Sequence, residues 1–317
     1  MTILVVTPDA TGAQGGNRRT AVRWAGLLRG LGHRVRLAPA YTGQRCDVLV
    51  ALHARRSADS VRRFRRDHPA APLVLALTGT DLYADLSRSA AARQALRLAS
   101  ALVVLQPLAR RRLPPALRPR THVIVQSARA PAGPRPRRGN RFQVCQLAHL
   151  RPVKDPLRAA LALRHLPATS RIVLAHAGAA LDRGLERRAR AEQERNPRYR
   201  WLGGVRHHAA LRLLARSRLL VLASRLEGGA NVICEAAASG VPVVASRVEG
   251  TVGLLGARYP GYFPVGDTRA LARLLWRAES DARFRAALHR GVRALAPRVR
   301  PAAEARSWRR LLQRLAP

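Results

Sequence analysis

"RLLVLASRLEGGANVICEAAASGVPVVAS", residues 218–246, gives the clearest indication of the fold class. A short apolar run, a glycine-containing loop, a helical segment stopped by Gly240 and a second apolar run follow one another. This order predicts a strand, a loop, a helix and a parallel strand. It places Glu227 on the loop and Glu235 about one turn into the helix. Two carboxylates stand out here because the chain has 18 acidic residues against 58 basic ones.

The same alternation of apolar runs and helical segments extends over the rest of the chain. It fills residues 1–128 and restarts at residue 141, after the proline- and glycine-rich stretch 129–140. We therefore predict an α/β protein with two Rossmann-like domains at 1–128 and 141–301, joined by a linker at 129–140. The two parallel sheets are expected to face an interdomain cleft. A last amphipathic helix, within 302–317, is expected to pack back on the first domain.

Chain length and composition limit the class of protein. A chain of 317 residues with 47% hydrophobic residues can form two cores. No apolar run reaches the roughly 18 residues that a membrane helix needs, and the opening "MTILVVTPDA" lacks a signal-peptide pattern. Cys46, Cys145 and Cys234 form no CxxC pair, which suits a reducing compartment. These features predict a cytoplasmic protein without a transmembrane segment.

The formal net charge of +40 favours a polyanionic partner at first sight. The arginines, however, are spread over almost every helical segment and form no single stripe, so no nucleic-acid partner is expected. Lys154 is the only lysine of the chain. Because an ammonium and a guanidinium differ in shape and hydration, a single retained lysine indicates a site that needs the compact cation.

The loop and helix around the two glutamates suit a nucleotide sugar. Glycines allow close approach of a ligand to the backbone, and free N–H groups at a helix start bind phosphate. Carboxylates beside such a pocket accept hydrogen bonds from hydroxyl groups. The alternative is structural: Glu227 caps the helix and Glu235 pairs with an arginine.

A second strand end carries two cations, Arg151 and Lys154, in "QLAHLRPVKDPLRAALAL". Cations at this place can neutralise the charge that develops on a diphosphate leaving group. An ordinary charged surface loop is the alternative.

These segments together resemble the retaining glycosyltransferases of family 4, which have the GT-B fold. "EGGANVICE" matches the E-x7-E motif of that family, and "ASGVPVVAS" and "FPVGDTRALARLL" match the elements behind it. The resemblance implies that Glu227 contacts the donor sugar, Glu235 contacts the ribose, and Lys154 with Arg151 binds the diphosphate. The family arginine usually lies five residues before the lysine, where this chain has His149. The implied nucleotide-sugar site comprises Glu235, Gly228, Gly229, Ala230, Asn231, Val232 and His149.

The N-terminal half extends the resemblance to the selenosugar synthases of selenoneine biosynthesis, over essentially the whole chain. It is carried by "TPDATGAQGGNRRTAVRWAGLLRGLGHRV", "ALTGTDLY" and "LAHLRPVKDP" together with the glutamate motif. The resemblance implies transfer of a sugar from a UDP-sugar, with UDP-N-acetylglucosamine as the expected donor, to selenophosphate. A selenosugar then forms by loss of phosphate.

Three segments of the N-terminal half are candidates for the acceptor site. A glycine-rich loop opens the first helix and can cradle an oxyanion, or can be a simple tight turn. His53 can bind a phosphate oxygen or be a core histidine, and Asp81 can act as a base or cap a helix. The full set of predicted acceptor residues is Gly15, Gly16, Asn17, Arg18, His53, Thr78, Gly79, Thr80 and Asp81.

No cofactor is expected, because the UDP-sugar and selenophosphate are substrates, and no Asp-x-Asp motif suggests a metal. Selenophosphate is already anionic, so the enzyme need only position the reactants and stabilise the leaving group. The sequence leaves retention or inversion at the anomeric carbon open, as well as the oligomeric state. Two other functions compete: an O-glycosyltransferase with a sugar or lipid acceptor at the membrane, and a non-catalytic polyanion-binding protein.

Overall fold

A computed structural model of the chain describes residues 1–8, 16–131 and 140–315. The chain divides into two compact units, residues 1–127 with 300–317, and residues 128–299. Most of the predicted linker lies outside the described residues, as does Gly15. Within the described residues, each unit contains one parallel sheet of six strands, which confirms the predicted α/β fold class.

Unit 1 is built on a sheet with the strand order β2-β1-β3-β4-β5-β6. Its central strands are continuous apolar runs buried on both faces, whereas β2 at the edge is partly exposed. The strands are β1 (Thr2–Val6), β2 (Arg34–Ala38), β3 (Val48–Leu52), β4 (Leu73–Leu77), β5 (Ala101–Val104) and β6 (Thr121–Val123). The helices are α1 (Gly16–Gly30), α2 (Ala58–Asp67), α3 (Ala90–Leu98) and, from the end of the chain, α11 (Pro301–Leu315).

The last helix, α11, is part of the core of unit 1. Trp308 meets Trp24 of α1 edge to face, with ring centroids 4.9 Å apart. The buried carboxylate of Glu304 accepts hydrogen bonds from Trp24 Nε1 at 2.7 Å and from the backbone N–H of Ser127 at 2.7 Å. It also pairs with Arg23 Nε at 3.0 Å. The Glu304 carboxylate thus joins α11, α1 and Ser127, the last residue of the N-terminal part of unit 1.

Unit 2 has the strand order β12-β11-β10-β7-β8-β9. Its strands are β7 (Phe142–Leu147), β8 (Ile172–Ala177), β9 (Tyr199–Trp201), β10 (Leu219–Leu222), β11 (Val243–Ser246) and β12 (Tyr262–Phe263). Its helices are α4 (Arg158–Leu163), α5 (Arg183–Arg195), α6 (His207–Arg216), α7 (Asn231–Ser239), α8 (Glu249–Leu255), α9 (Thr268–Ser280) and α10 (Ala282–Leu295). Because β10 lies between β7 and β11, the loops after these three strands emerge at one edge of the sheet.

The helix α7 ends as its sequence predicts. Gly240 follows it in the left-handed conformation, with φ of 64°, and its N–H bonds back to the helix. None of the helices in the described part of the chain is long and apolar enough to cross a membrane.

Candidate functional site

The central feature of unit 2 is an ion pair between Lys154 and Glu227. Lys154 closes the short 3-10 turn Pro152–Lys154 after β7, and Glu227 lies on the loop after β10. The Lys154 Nζ lies 2.6 Å from Glu227 Oε1. The Glu227 side chain is almost buried, and the Lys154 side chain is partly exposed. The only lysine of the chain and the first glutamate of the E-x7-E pattern therefore meet directly, a pairing that the sequence analysis did not anticipate.

Two serines connect Glu227 to the sheet. Ser224 Oγ donates a hydrogen bond to Glu227 Oε1 at 2.6 Å, and Ser246 Oγ donates to the Ser224 carbonyl at 2.5 Å. Both serines are fully buried just beyond or at the end of a strand. Both serines lie within residues 218–246, but the local sequence does not show that they contact each other and Glu227.

The loop that carries Lys154 is anchored at both ends. The N–H of Arg225 donates to the Val153 carbonyl at 2.9 Å, and Gln146 Nε2 donates to the Pro156 carbonyl at 2.8 Å. Arg151, the predicted partner of Lys154, is exposed at the start of this turn. The loop is thus held between the end of β7 and the loop of Glu227.

His149 is held by the loop that follows β8. Its Nδ1 accepts a hydrogen bond from the Ala179 N–H at 3.0 Å. A Cβ on Gly178 would lie 1.8 Å from the Ala148 carbonyl oxygen, so this close approach requires glycine. We did not predict a role for Gly178.

His176 of β8 supports the same segment and was also missed. Its ring bonds to the Ala148 carbonyl oxygen through Nε2 at 2.8 Å and to the Tyr199 hydroxyl through Nδ1 at 2.9 Å. Burial lowers the pKa of His176 to about 4, so the imidazole is neutral at physiological pH. In that state Nε2–H donates to the carbonyl and Nδ1 accepts from Tyr199.

The second glutamate lies where the pattern places it, within α7. Gly228, Gly229 and Ala230 form the buried approach to the helix, and Ala230 has a φ of +21°, a sparsely populated value for a residue with a side chain.

Asn231 and Val232 open α7, and Glu235 follows on the same helix. Glu235 Oε1 lies 3.6 Å from Nε2 of His207, the first residue of α6. His207 is exposed, and it contacts the predicted ribose-binding glutamate.

Unit 1 has its own polar cluster at the ends of β3 and β4. His53 follows β3 in the left-handed region, with φ of 76°, and is buried. Its Nε2 lies 3.1 Å from Thr80 Oγ1 and 3.9 Å from Asp85 Oδ2. Arg55 Nε pairs with the same Asp85 oxygen at 3.1 Å. The cluster combines an imidazole, a hydroxyl and a paired guanidinium.

Asp81 organises the loops of this cluster. Its fully buried carboxylate accepts backbone hydrogen bonds of 2.8–3.2 Å. The donors are the N–H groups of Ala54, Thr78, Gly79 and Leu82. Four backbone N–H groups thus converge on one buried carboxylate. This geometry suits a structural role for Asp81 better than proton abstraction.

The predicted glycine-rich loop lies partly outside the described residues. Gly16, Asn17 and Arg18 form the first turn of α1, where Gly16 and Arg18 are exposed and Asn17 is half-buried. Thr20 Oγ donates to the Gly16 carbonyl at 3.0 Å and accepts from Gln126 Nε2 at 2.6 Å. The start of α1 is thereby tied to the chain that follows β6.

The family assignment follows from the chain itself. Residues 133–294, about half of the chain, match the family model of the glycosyl transferases group 1. The chain belongs to this family. The matched residues include Lys154, Glu227 and Glu235. We found no significant match among curated protein sequences.

Solved structures resemble the whole chain in fold. The Anabaena protein Alr3699/HepE, crystallised with UDP and glucose, has a TM-score of 0.78 at 19% identity, with coverage of 99% of this chain and 100% of the other. The sucrose-phosphate synthase of Thermosynechococcus elongatus has a TM-score of 0.79 at 14% identity, with coverage of 99% and 98%. A glycosyltransferase of Rickettsia africae has a TM-score of 0.76 at 14% identity, with coverage of 99% and 98%. These similarities place the chain among GT-B folds.

Proposed function

We propose that the protein is a selenosugar synthase, which transfers the sugar of a UDP-sugar to selenophosphate. UDP-N-acetylglucosamine is the proposed donor. The Lys154–Glu227 ion pair is the observation that carries the donor half of this proposal, because it joins a cation suited to a diphosphate with a carboxylate suited to a sugar hydroxyl. The likeness to a protein crystallised with UDP and with UDP-glucose supports the choice of nucleotide.

In this proposal the donor binds both Lys154 and Glu227 and replaces the contact between them. The β-phosphate takes the Lys154 ammonium, and Glu227 then accepts a hydrogen bond from the donor sugar. The first turn of α7, with Gly228, Gly229, Ala230, Asn231 and Val232, binds the diphosphate through backbone N–H groups. Glu235 accepts hydrogen bonds from the ribose diol. His149 and Arg151 lie on the loop of Lys154 and add polar contacts to the diphosphate.

The transfer step requires no oxidant or reductant. A selenium lone pair of selenophosphate forms the carbon–selenium bond at the anomeric carbon, and the bond from that carbon to the β-phosphate oxygen breaks. UDP leaves with the bonding electrons, and Lys154 stabilises the charge that develops on it. Water then cleaves the phosphorus–selenium bond, giving inorganic phosphate and a sugar selenol.

The acceptor half of the proposal rests on unit 1. His53 and Thr80 offer hydrogen bonds to a small oxyanion, and the first turn of α1 supplies Gly16, Asn17 and Arg18. Asp81 holds the loop of Thr78 and Gly79 in shape through its backbone hydrogen bonds. Gly15 belongs to the same proposed cradle by its position in the sequence. We propose that neither a metal ion nor an organic cofactor takes part.

The direct test is UDP release from UDP-N-acetylglucosamine with and without selenophosphate, together with mass spectrometry of the products. Selenophosphate-dependent release and a selenium-bearing sugar support the proposal. Release that depends on a sugar or lipid acceptor instead would identify an O-glycosyltransferase. Absence of release with any UDP-sugar, combined with steeply salt-dependent nucleic-acid binding, would identify a polyanion-binding protein.

Variants of the donor site separate binding from transfer. Glu235→Ala should mainly raise the KM for the UDP-sugar, whereas Lys154→Ala should mainly lower kcat, by about 100-fold. Arg188→Ala, which removes an exposed cation of α5, is the matched control and should behave as the wild type. Wild-type turnover in both site variants would refute the assignment of the donor site.

A further inference from the structure

Gly250, in the helix α8, packs directly on the backbone of Glu227. A Cβ built on Gly250 would lie 2.1 Å from the Glu227 carbonyl oxygen, 2.6 Å from its carbonyl carbon and 2.7 Å from its Cβ. No side-chain rotation can relieve a contact with main-chain atoms. We propose that Gly250 is a positioning residue, which allows α8 to hold Glu227 where its carboxylate meets Lys154.

The same helix is tied to Glu227 by a chain of buried hydrogen bonds. Thr251 Oγ1 donates to the Ser246 carbonyl at 2.7 Å, and Ser246 Oγ donates to the Ser224 carbonyl at 2.5 Å. Ser224 Oγ completes the chain at Glu227 Oε1, at 2.6 Å. All three hydroxyl-bearing residues are fully buried, so these bonds are shielded from water. Glu227 is thus fixed at its main chain by Gly250 and at its carboxylate by Ser224.

An alanine at position 250 would have to push the Glu227 loop away. The distance between the new Cβ and the Glu227 carbonyl oxygen must increase from 2.1 Å to about 3.5 Å, so one of the two segments must move by about 1 Å or more. That shift is large against the 2.6 Å ion pair between Glu227 and Lys154. The helical backbone itself accommodates alanine better than glycine. The expected effect of Gly250→Ala is therefore local displacement of Glu227.

The uniqueness of Lys154 provides a readout that needs no substrate. Lys154 carries the only ε-amino group of the chain, so its acetylation by sulfo-N-hydroxysuccinimide acetate can be followed by peptide mass spectrometry. In Glu227→Gln, which removes the carboxylate charge, we expect the acetylation rate of Lys154 to rise about threefold over the wild type. Gly250→Ala should give a similar rise, and the double variant should add nothing further.

Two glycine variants serve as matched controls. Gly26→Ala places a Cβ in open space on α1 and should leave the acetylation rate unchanged. Gly291→Ala places a Cβ 2.4 Å from the ring of Tyr259, a comparable clash elsewhere in unit 2. Gly291→Ala should lower the melting temperature without raising the acetylation rate of Lys154. A wild-type rate in Gly250→Ala would overturn the inference, and so would an equal rise in Gly291→Ala.

The consequence for turnover rests on the proposed function and is measured separately. A displacement of about 1 Å at Glu227 should lower kcat/KM for the UDP-sugar about 100-fold. When Glu227→Gln is already present, adding Gly250→Ala should lower kcat/KM little further. Additive losses would contradict action through Glu227. If the wild type turns over no UDP-sugar but Gly250→Ala still raises the acetylation rate of Lys154, the proposed function fails and the positioning role stands.

Discussion

Acid should destabilise unit 2 through His176. Its imidazole donates to the Ala148 carbonyl and accepts from Tyr199, and burial holds its pKa at about 4. The same group in the unfolded chain has a pKa of about 6.5. Between these two values the unfolded chain binds a proton that the folded chain does not. The free energy of unfolding must therefore fall as the pH falls from about 6.5 towards about 4.

The magnitude follows from the two pKa values. A difference of about 2.5 pKa units, at 1.36 kcal/mol for each unit, gives a limit of roughly 3 kcal/mol. Between about pH 7.5 and about pH 4.5 the expected loss from this one residue is about 2.5 kcal/mol. Above about pH 7 its contribution does not change with pH.

The assay compares the wild type with His176→Gln. Glutamine keeps a donor for the Ala148 carbonyl but does not titrate. Because both proteins contain the other titratable groups, the contributions of those groups to the pH dependence cancel in the comparison. Urea unfolding is followed by tryptophan fluorescence, with two transitions fitted where the units unfold separately. The stability advantage of the wild type should shrink by about 2.5 kcal/mol between about pH 7.5 and about pH 4.5. An advantage that stays constant with pH would refute the reasoning.

Three further substitutions test other parts of the structure. Glu304→Gln should lower the melting temperature of unit 1 and the free energy of unfolding by about 3 kcal/mol, because an amide cannot form the ion pair that the buried carboxylate forms with Arg23. An unchanged calorimetric transition would contradict this. Asp81→Asn should cost about 2 kcal/mol in urea unfolding, because an amide cannot accept all the hydrogen bonds of the carboxylate; stability equal to the wild type would show that the bonds contribute little. His207→Ala should raise the KM for the UDP-sugar with little change in kcat, because His207 contacts Glu235; a fall in kcat alone would exclude a role through Glu235.

Several contacts of the candidate site join residues that are far apart in the sequence. Lys154 and Glu227 are 73 positions apart, and they meet because β10 pairs with β7. Ser246 reaches Ser224 because β11 pairs with β10 on the other side. Neither strand order nor the resulting side-chain partners can be inferred from the periodicity of apolar residues. The fourfold hydrogen bonding of Asp81 likewise depends on loops that follow two different strands.

The α/β class can be predicted from the sequence alone, because alternating strands and helices leave a local pattern of apolar residues and glycine stops. The sequence also singles out Lys154, Glu227 and Glu235, because a lone lysine and paired glutamates are conspicuous in an arginine-rich chain. The folded structure was needed to show that Lys154 and Glu227 form a pair, that His176 supports the neighbouring loop, and that Gly250 packs on Glu227. These contacts depend on strand order and on approaches of 2–3 Å, which arise only when distant segments pack together.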